Sequence, residues 1–261
     1  MNPLISVIVT TYNSAQSIER ILYSVLNQTY KHFEVLIFDD ASSDKTKELV
    51  HRILEHEKIR FKFFVSIVNN GGPAKGRNWG IANSSGKYLC FCDADDEWME
   101  GKLMAQVQFM ENNDFDFSGT SCLVIGAKQF PLFSGIVTVY SELRRNKFAL
   151  SSLMIRKKCF TDSFIFDERK EYQSVEDFDL ILRLYSKGFK GFVISKQLIK
   201  YYYDSTSLSH LSLRKSELRR ILVLKNFYHK DPFTRIYSKY IMILLTIRIK
   251  ANAVRNYFRQ L

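Results

Sequence analysis

Three groups of residues in this 261-residue chain have types and spacings that could do chemistry. The first is Asp93-Ala-Asp-Asp96, which follows the apolar run Tyr88-Leu-Cys-Phe-Cys92 without a break. Mg2+ and Mn2+ prefer carboxylate oxygens and often take only one or two from a protein. Two aspartates at i and i+2 just past a buried strand suit that task, with one on the ion and the other on a metal-bound water or a ligand hydroxyl. A diphosphate needs such a cation both to bind and to leave. Taken alone, a D-x-D is more simply an acidic surface turn. The second group is Val175-Glu-Asp177. A carboxylate there could act as a general base, although acidic residues in the first turn of a helix are also favoured by its dipole. The third is His210, after the Ser-rich stretch Asp204-Ser-Thr-Ser-Leu-Ser209. Imidazole can ligate Mn2+, but a lone His in such a loop is ordinarily a surface residue.

The elements around these groups must bring them together. Ile5 to Thr10, Phe33 to Phe38, Phe61 to Val68 and Tyr88 to Cys92 read as strands, rich in β-branched and aromatic residues. Between them, Ile18, Ile21, Leu22, Val25 and Leu26 recur at helical spacing, as do Leu49, Ile53 and Leu54. Ser43 or Asp44 can cap the second of these helices, and Pro73 is placed to open a third. A β-α-β-α-β-α-β order predicts a mostly parallel, Rossmann-like α/β sheet with helices on both faces. Such sheets bind ligands at the carboxyl ends of their strands, which here carry Thr10, Asp39-Asp40, Asp93 and Asp95. Phe115 to Val139 predicts mixed strands, Ser151 to Arg156 a strand, Val175 to Tyr185 a helix and Gly191 to Tyr203 a strand.

Charge divides the chain. Leu211 to Leu261 holds twelve Lys/Arg against two Asp/Glu, while the first 210 residues hold 26 against 25. A neutral body with a basic tail points to an anionic partner surface. The tail reads as two basic amphipathic C-terminal helices, with Asp231-Pro232 between them, and its interleaved Ile, Leu, Met and Tyr suit a lipid surface better than nucleic acid. The longest apolar run, Tyr240 to Ile247, covers eight residues, far short of the roughly 20 that span a bilayer. None of Cys90, Cys92, Cys122 and Cys159 forms a C-x-x-C pair, so buried thiols are expected rather than a zinc site. No secretory signal is evident at the N-terminus, which predicts a reducing cytoplasm, with the tail holding the protein peripherally on the inner face of the membrane.

Four motifs in series resemble one family. Ser6-Val-Ile-Val-Thr-Thr-Tyr-Asn13, Glu34-Val-Leu-Ile-Phe-Asp-Asp-Ala-Ser-Ser-Asp44, Asn70-Gly-Gly-Pro-Ala-Lys-Gly-Arg-Asn78 and Gly86-Lys-Tyr-Leu-Cys-Phe-Cys-Asp-Ala-Asp-Asp96 are similar, in order and spacing, to the donor-binding half of family 2 glycosyltransferases, whose fold is called GT-A. The likeness is close over residues 4 to 104 and looser to about 210. It implies an inverting transfer from a nucleoside-diphosphate sugar, UDP being the expected nucleotide, with Mn2+ or Mg2+ as cofactor. By matched position, Asp40 reads the uracil and Thr10 lies beside the base, with Tyr12 able to pack on it. Asp39 is expected to be structural. Arg77 falls near the nucleotide, where it could contact phosphate or pair with the aspartates. Asp95 is implied as the metal ligand, Asp93 as a ligand to ribose or metal, and His210 as the residue completing the metal shell. Asp177 matches the base, with Asp179 its nearest competitor and Glu176 an acceptor contact. Trp98 matches an aromatic that lines the acceptor pocket or packs the loop. Neither a Q-x-x-R-W element nor a membrane-spanning helix is found, so the resemblance is to single-addition enzymes of bacterial capsule, O-antigen or exopolysaccharide synthesis, whose acceptors are often lipid-linked. The expected organisation is a donor half at 1–104, an acceptor half with the base at 105–210, and the basic tail at 211–261. The competing classes are a nucleotidyltransferase, which would carry a Gly-rich basic loop where Thr10-Thr-Tyr-Asn13 stands, and a non-catalytic module binding membrane or nucleic acid.

Overall fold

The computed structural model describes residues 2–126, 128–129, 132–161, 165–202 and 213–258. Strand β1 (Ile5–Thr11), helix α1 (Ile18–Leu26), β2 (Phe33–Asp39), α2 (Thr46–Leu54), β3 (Arg60–Val65), α3 (Ala74–Asn83) and β4 (Tyr88–Asp93) alternate as expected. They are followed by β5 (Glu97–Trp98), α4 (Lys102–Asn112), β6 (Phe117–Ile125), β7 (Gly135–Val137), α5 (Val139–Arg144), β8 (Met154–Arg156), α6 (Glu176–Ser186), β9 (Gly191–Tyr202), α7 (Leu213–Asn226) and α8 (Pro232–Phe258). The strands form one sheet in the order β3-β2-β1-β4-β8-β6-β9-β5, with β7 on the flank of β9. The pairs among β1 to β4 are parallel, and so is β6 with β9; β8 joins the two groups by running antiparallel to both β4 and β6.

Register sets the site. Thr10 pairs with Phe38 on one side and Asp93 on the other, and Thr11 pairs with Asp39. The carboxyl ends of β1, β2 and β4 therefore stop level with one another. Every residue of β1 and β2 is buried, because helices cover both faces of the sheet. On one side α1, α2 and α4 pack through Ile18, Ile21, Leu22, Val50, Ile53, Leu103 and Val107. On the other, α3 and α6 pack through Ile81, Leu180, Ile181 and Leu184. Helix α3 lies unusually close to the sheet: a Cβ on Gly80 would sit 2.4 Å from Ile8 Cγ2, and one on Gly76 2.7 Å from Phe38 Cδ1. That approach carries Arg77, between the two glycines, in over the strand ends.

Three local expectations change. β3 ends at Val65, short of Val68, because its partner β2 runs out at Asp39; Ser66 N still reaches Asp39 O, and Ile67 then turns out into solvent. Neither Ser43 nor Asp44 is the cap residue of α2: that place falls to Lys45, whose side chain makes no capping bond, while Asp44 accepts from Thr46 N at 3.0 Å. The strand-rich stretch ends in helix α5, whose capping box joins Thr138 and Ser141. The tail is also packed onto the body: Val223 and Leu224 of α7 and Ile241 and Leu245 of α8 form a third core with Leu143, Tyr172, Phe178 and Leu182. The apolar side of α7 thus faces α5 and α6, not a lipid surface.

Candidate active site at the strand ends

The level ends of β1, β2 and β4 form the floor of an open cavity of about 1400 Å³. Ligand pockets commonly enclose about 300–1,000 Å³, so this one has room for two substrates. Thr10, Tyr12, Asp40, Arg77, Asp93, Asp95, Glu176 and Asp177 all line it. Distant parts of the sequence are thereby brought to one place.

On the β1–β2 side, Asp40 accepts from Asn70 N at 3.0 and 3.1 Å through its two oxygens. A carboxylate offers about four lone-pair positions, so capacity remains for a ligand donor. Asp39 is fully buried and accepts from Ser42 N at 2.8 Å, a structural turn as expected. Tyr12 stands half-exposed at the mouth. Asn13, Ala41 and Ser174 all have positive φ (47°, 63° and 68°) and flank Tyr12, Asp40 and Glu176 respectively. Non-glycine residues held this way cost of order 1–3 kcal/mol each and cluster where function fixes the backbone.

At the end of β4, Asp93, Asp95 and Asp96 crowd together. Burial and the neighbouring Asp93 push the Asp95 carboxyl up to about 6, and burial pushes Asp96 well above the usual range. Asp96 is 5% exposed, far less than Asp93 and Asp95, although it too borders the cavity. Carboxylates held this close favour a proton or a cation between them. Among the described residues no three His, Cys, Asp or Glu side chains converge as a closed metal cage. Asp93 and Asp95, both on the cavity lining, fit an ion that takes one or two protein carboxylates and completes its shell with substrate phosphates and water.

Arg77 binds this acidic edge to α6. Its Nη2 donates to Asp93 Oδ1 at 2.7 Å and its Nη1 to Glu176 Oε1 at 2.6 Å. The guanidinium is 4% exposed. Its pKa is raised, because the two carboxylates outweigh the effect of burial. Of the two roles open to Arg77, the ion pair is the one present. Glu176 is correspondingly engaged with Arg77, and its other oxygen, Oε2, is buried and unpartnered among the described residues.

Asp177 stands in the first turn of α6. Its Oδ1 accepts from Phe178 N at 2.7 Å, and its Oδ2 lies 3.5 Å from Asn146 Nδ2. No Lys, Arg or His of the described residues forms an ion pair with it. Burial and the adjacent Glu176 push its carboxyl up to about 7. A base poised near the working pH is what proton abstraction needs. Asp179 is excluded by geometry: it is paired with Arg183 at 2.7 Å and does not line the cavity.

Trp98 is corrected. Its indole is 2% exposed in the core beneath the loop, with Lys102 Nζ 3.9 Å from the ring centroid, and it does not reach the cavity. It packs the loop because β5 pins Trp98 to Ile199 of β9. His210 lies outside the described residues. Cys90 and Cys92 are buried in the core. Sequence reasoning missed Asn146, Glu142 and Arg220, which surround Asp177. No local signal marks them: Arg220 is one of many basic residues in the tail, and only the packing of α7 brings it to the cavity.

A model of the family described as "Glycosyl transferase family 2" matches residues 6–167. An "Uncharacterized glycosyltransferase" of Rickettsia felis is 31% identical over 92% of this chain. The chain spans 40% of that relative's length. The "UDP-Glc:alpha-D-GlcNAc-diphosphoundecaprenol beta-1,3-glucosyltransferase WfaP" of Escherichia coli is 30% identical, over 77% of this chain and 76% of its own. Among solved structures, S. aureus TarS 1-349 in complex with UDP-GlcNAc superposes with a TM-score of 0.74 at 21% identity, covering 93% of this chain and 71% of that one. At that identity the likeness shows the fold.

Proposed function

Since this chain belongs to glycosyl transferase family 2, we propose that it transfers a sugar, with inversion, from a UDP-sugar to a glycan or lipid-linked oligosaccharide in surface-polysaccharide synthesis of the capsule, O-antigen or exopolysaccharide kind. The observation that carries this is Asp177, a raised carboxylate with no ion-pair partner among the described residues, in the same cavity as the Asp93–Asp95 edge. The named reaction of the Escherichia coli relative supports both the UDP donor and a diphosphate-linked lipid acceptor.

Thr10, Tyr12 and Asp40 hold the nucleoside, Asp40 accepting from uracil N3–H. Family members commonly use a divalent metal, and the acidic edge fits one. Asp95 and Asp93 would hold Mn2+ or Mg2+, with His210 completing the shell, and the ion would supply positive charge to the diphosphate as it leaves. Arg77 holds Asp93 in place and ties it to the helix that carries the base. Asp177 takes the proton of the acceptor hydroxyl while its oxygen attacks the anomeric carbon from the face opposite the diphosphate. One carboxylate suffices, because a diphosphate leaves as an anion; a glycosidase needs two flanking the bond. Nothing in the geometry favours a nucleotidyltransferase. The test is a screen of UDP- and GDP-sugars for release of nucleoside diphosphate in the presence of Mn2+ and a membrane lipid extract. Release from one UDP-sugar, lost with EDTA and with Asp95→Ala, is expected. Release of pyrophosphate, or activity untouched by EDTA, contradicts the proposal.

Membrane docking belongs to α8 in this reading. Among the described residues no helix is long and apolar enough to cross a bilayer. Phe233, Ile236, Tyr240, Ile243 and Ile247, spaced by three and four, are each more than half exposed along one side of α8, while Ile241 and Leu245 are buried on the other. Exposed Arg235, Lys239 and Arg248 accompany that stripe. An apolar stripe with basic neighbours suits the interface of an anionic bilayer. Replacing Ile236 and Ile243 together with Glu should abolish flotation with phosphatidylglycerol vesicles and leave UDP binding unchanged. Full flotation of that variant, or binding insensitive to salt, would place docking elsewhere.

A further inference from the structure

Among the described residues five Lys and Arg side chains line the cavity, and they fall into two groups. Arg20 lies 3.7 Å from Glu97 and stacks on Tyr202, and Arg77 is held by Asp93 and Glu176. Arg145, Lys147 and Arg220 are different: none of them forms an ion pair among the described residues, all three line the same cavity as Asp177, and Arg220 lies in its field. Arg145 follows the last turn of α5, and the next residue, Asn146, reaches Asp177. Lys147 is fixed through its backbone, whose N–H donates to Glu142 Oε2 at 3.0 Å, and its Nζ lies 4.8 Å from the Phe133 ring centroid. Arg220 arrives from α7, 4.7 Å over the Phe178 ring; its Nη2 donates to Leu143 O at 3.4 Å, and its Nε is buried and unpartnered.

Glu142, fully buried beneath this wall, does not cancel the charge. Burial pushes its carboxyl up to about 8, so it is largely protonated at neutral pH. The charges of the lining nonetheless divide, with Asp40, Asp93 and Asp95 at the strand ends and Arg145, Lys147 and Arg220 on the side of Asp177, where Arg220 also lies in the field of Asp177 and Glu217. A diphosphate on the donor side meets an acidic edge and needs a metal. An anion on the other side meets direct positive charge and needs none.

We propose that Arg145, Lys147 and Arg220 form an acceptor subsite that takes the phosphate groups joined to the acceptor sugar while one of that sugar's hydroxyls faces Asp177. This rests on the transferase reading above and adds to it the residues that would hold the diphosphate of the lipid-linked acceptor and so select it over a neutral glycan. Guanidinium and ammonium groups lining one cavity suit phosphate oxygens. Because α7 supplies Arg220, the packed tail takes part in acceptor choice as well as in docking.

The test keeps donor and acceptor sites apart. The full chain is loaded with UDP and Mg2+, and geranyl diphosphate is titrated in by calorimetry as a probe for a prenyl-linked diphosphate, with geraniol as the uncharged control. Saturable binding of geranyl diphosphate to the UDP-loaded protein is expected, with at least 100-fold weaker binding of geraniol. Arg145→Gln with Lys147→Gln should weaken geranyl diphosphate at least 10-fold while UDP binds as before; Arg145 is exposed, Lys147 half-buried, and neither forms an ion pair among the described residues. Inorganic phosphate at the same concentration separates a general phosphate site from one for a prenyl diphosphate, and competition by it supports the shared chemistry. Displacement of the probe by UDP, unchanged affinity in the double variant, or loss of UDP binding in that variant would overturn the proposal. Wild-type protein that fails to bind UDP at all would instead overturn the transferase reading.

Discussion

Asp177→Asn is expected to lower turnover by about 10²–10⁴-fold, the range that general-base catalysis contributes, while UDP affinity stays within a factor of two. The same substitution should remove the acid limb of the wild-type kcat/KM profile, which rises with pH through about 7 as the carboxyl ionises. It should also stabilise the protein. The ordinary value for this carboxyl is 3.8, and burial beside Glu176 raises it in the folded chain. Between those two values the folded state holds the proton more tightly than the unfolded state, so the contribution of Asp177 to stability falls as pH rises through that window. Asn carries no such cost. The thermal midpoint of the variant should therefore exceed that of the wild type, and by more at pH 8 than at pH 5. Near-normal turnover in Asp177→Asn would move the base elsewhere, and Asp179, bound to Arg183, is not available to replace it.

Arg77→Met should be the most damaging single change to stability. It would leave Glu176, whose side chain is 6% exposed, and the partly buried Asp93 without their common cation. Breaking a buried pair by removing one partner costs about 3–5 kcal/mol, most of it from the charge left behind. In a chain of this size each kcal/mol lowers the thermal midpoint by about 2–4 °C, so a fall of roughly 10 °C is expected. Adding Glu176→Gln removes one of the stranded charges, and the double variant should recover part of the loss. A double variant less stable than Arg77→Met would mean that Glu176 has a second role in the fold. Loss of metal-dependent UDP binding should accompany the single change, because Asp93 loses the group that orients it.

The donor half was legible because parallel strands are written as continuous β-branched runs and their ends as polar residues. Thr10, Asp40 and Asp93 follow such runs, and the parallel register alone is enough to make them level. Gly76 and Gly80 could be seen, but the reason for them, the close seating of α3 on Ile8 and Phe38, needed the packing. The acceptor side was much less legible. Asp177 was singled out through its motif and lines the cavity, but its neighbours Glu142, Asn146 and Arg220 come from a short helix, the loop after it and the basic tail. None of those carries a periodicity that points inward. Trp98 was left open for the opposite reason: an aromatic beside an acidic loop is as well suited to pack under it as to face a ligand, and burial, here 2% exposure, decides for packing. The basic tail showed its charge in the sequence but not its division of labour, with α7 turned onto α6 and α8 leaving one apolar side outward.

A single base facing the anomeric carbon from the side opposite the diphosphate leaves one stereochemical outcome. The most direct measurement is the anomeric configuration of the first product formed, read by NMR from the donor's own sugar before any exchange. A product of configuration opposite to that of the UDP-sugar is expected, with Asp177→Asn forming the same anomer far more slowly. A product that retains the donor configuration would contradict attack assisted by Asp177 alone.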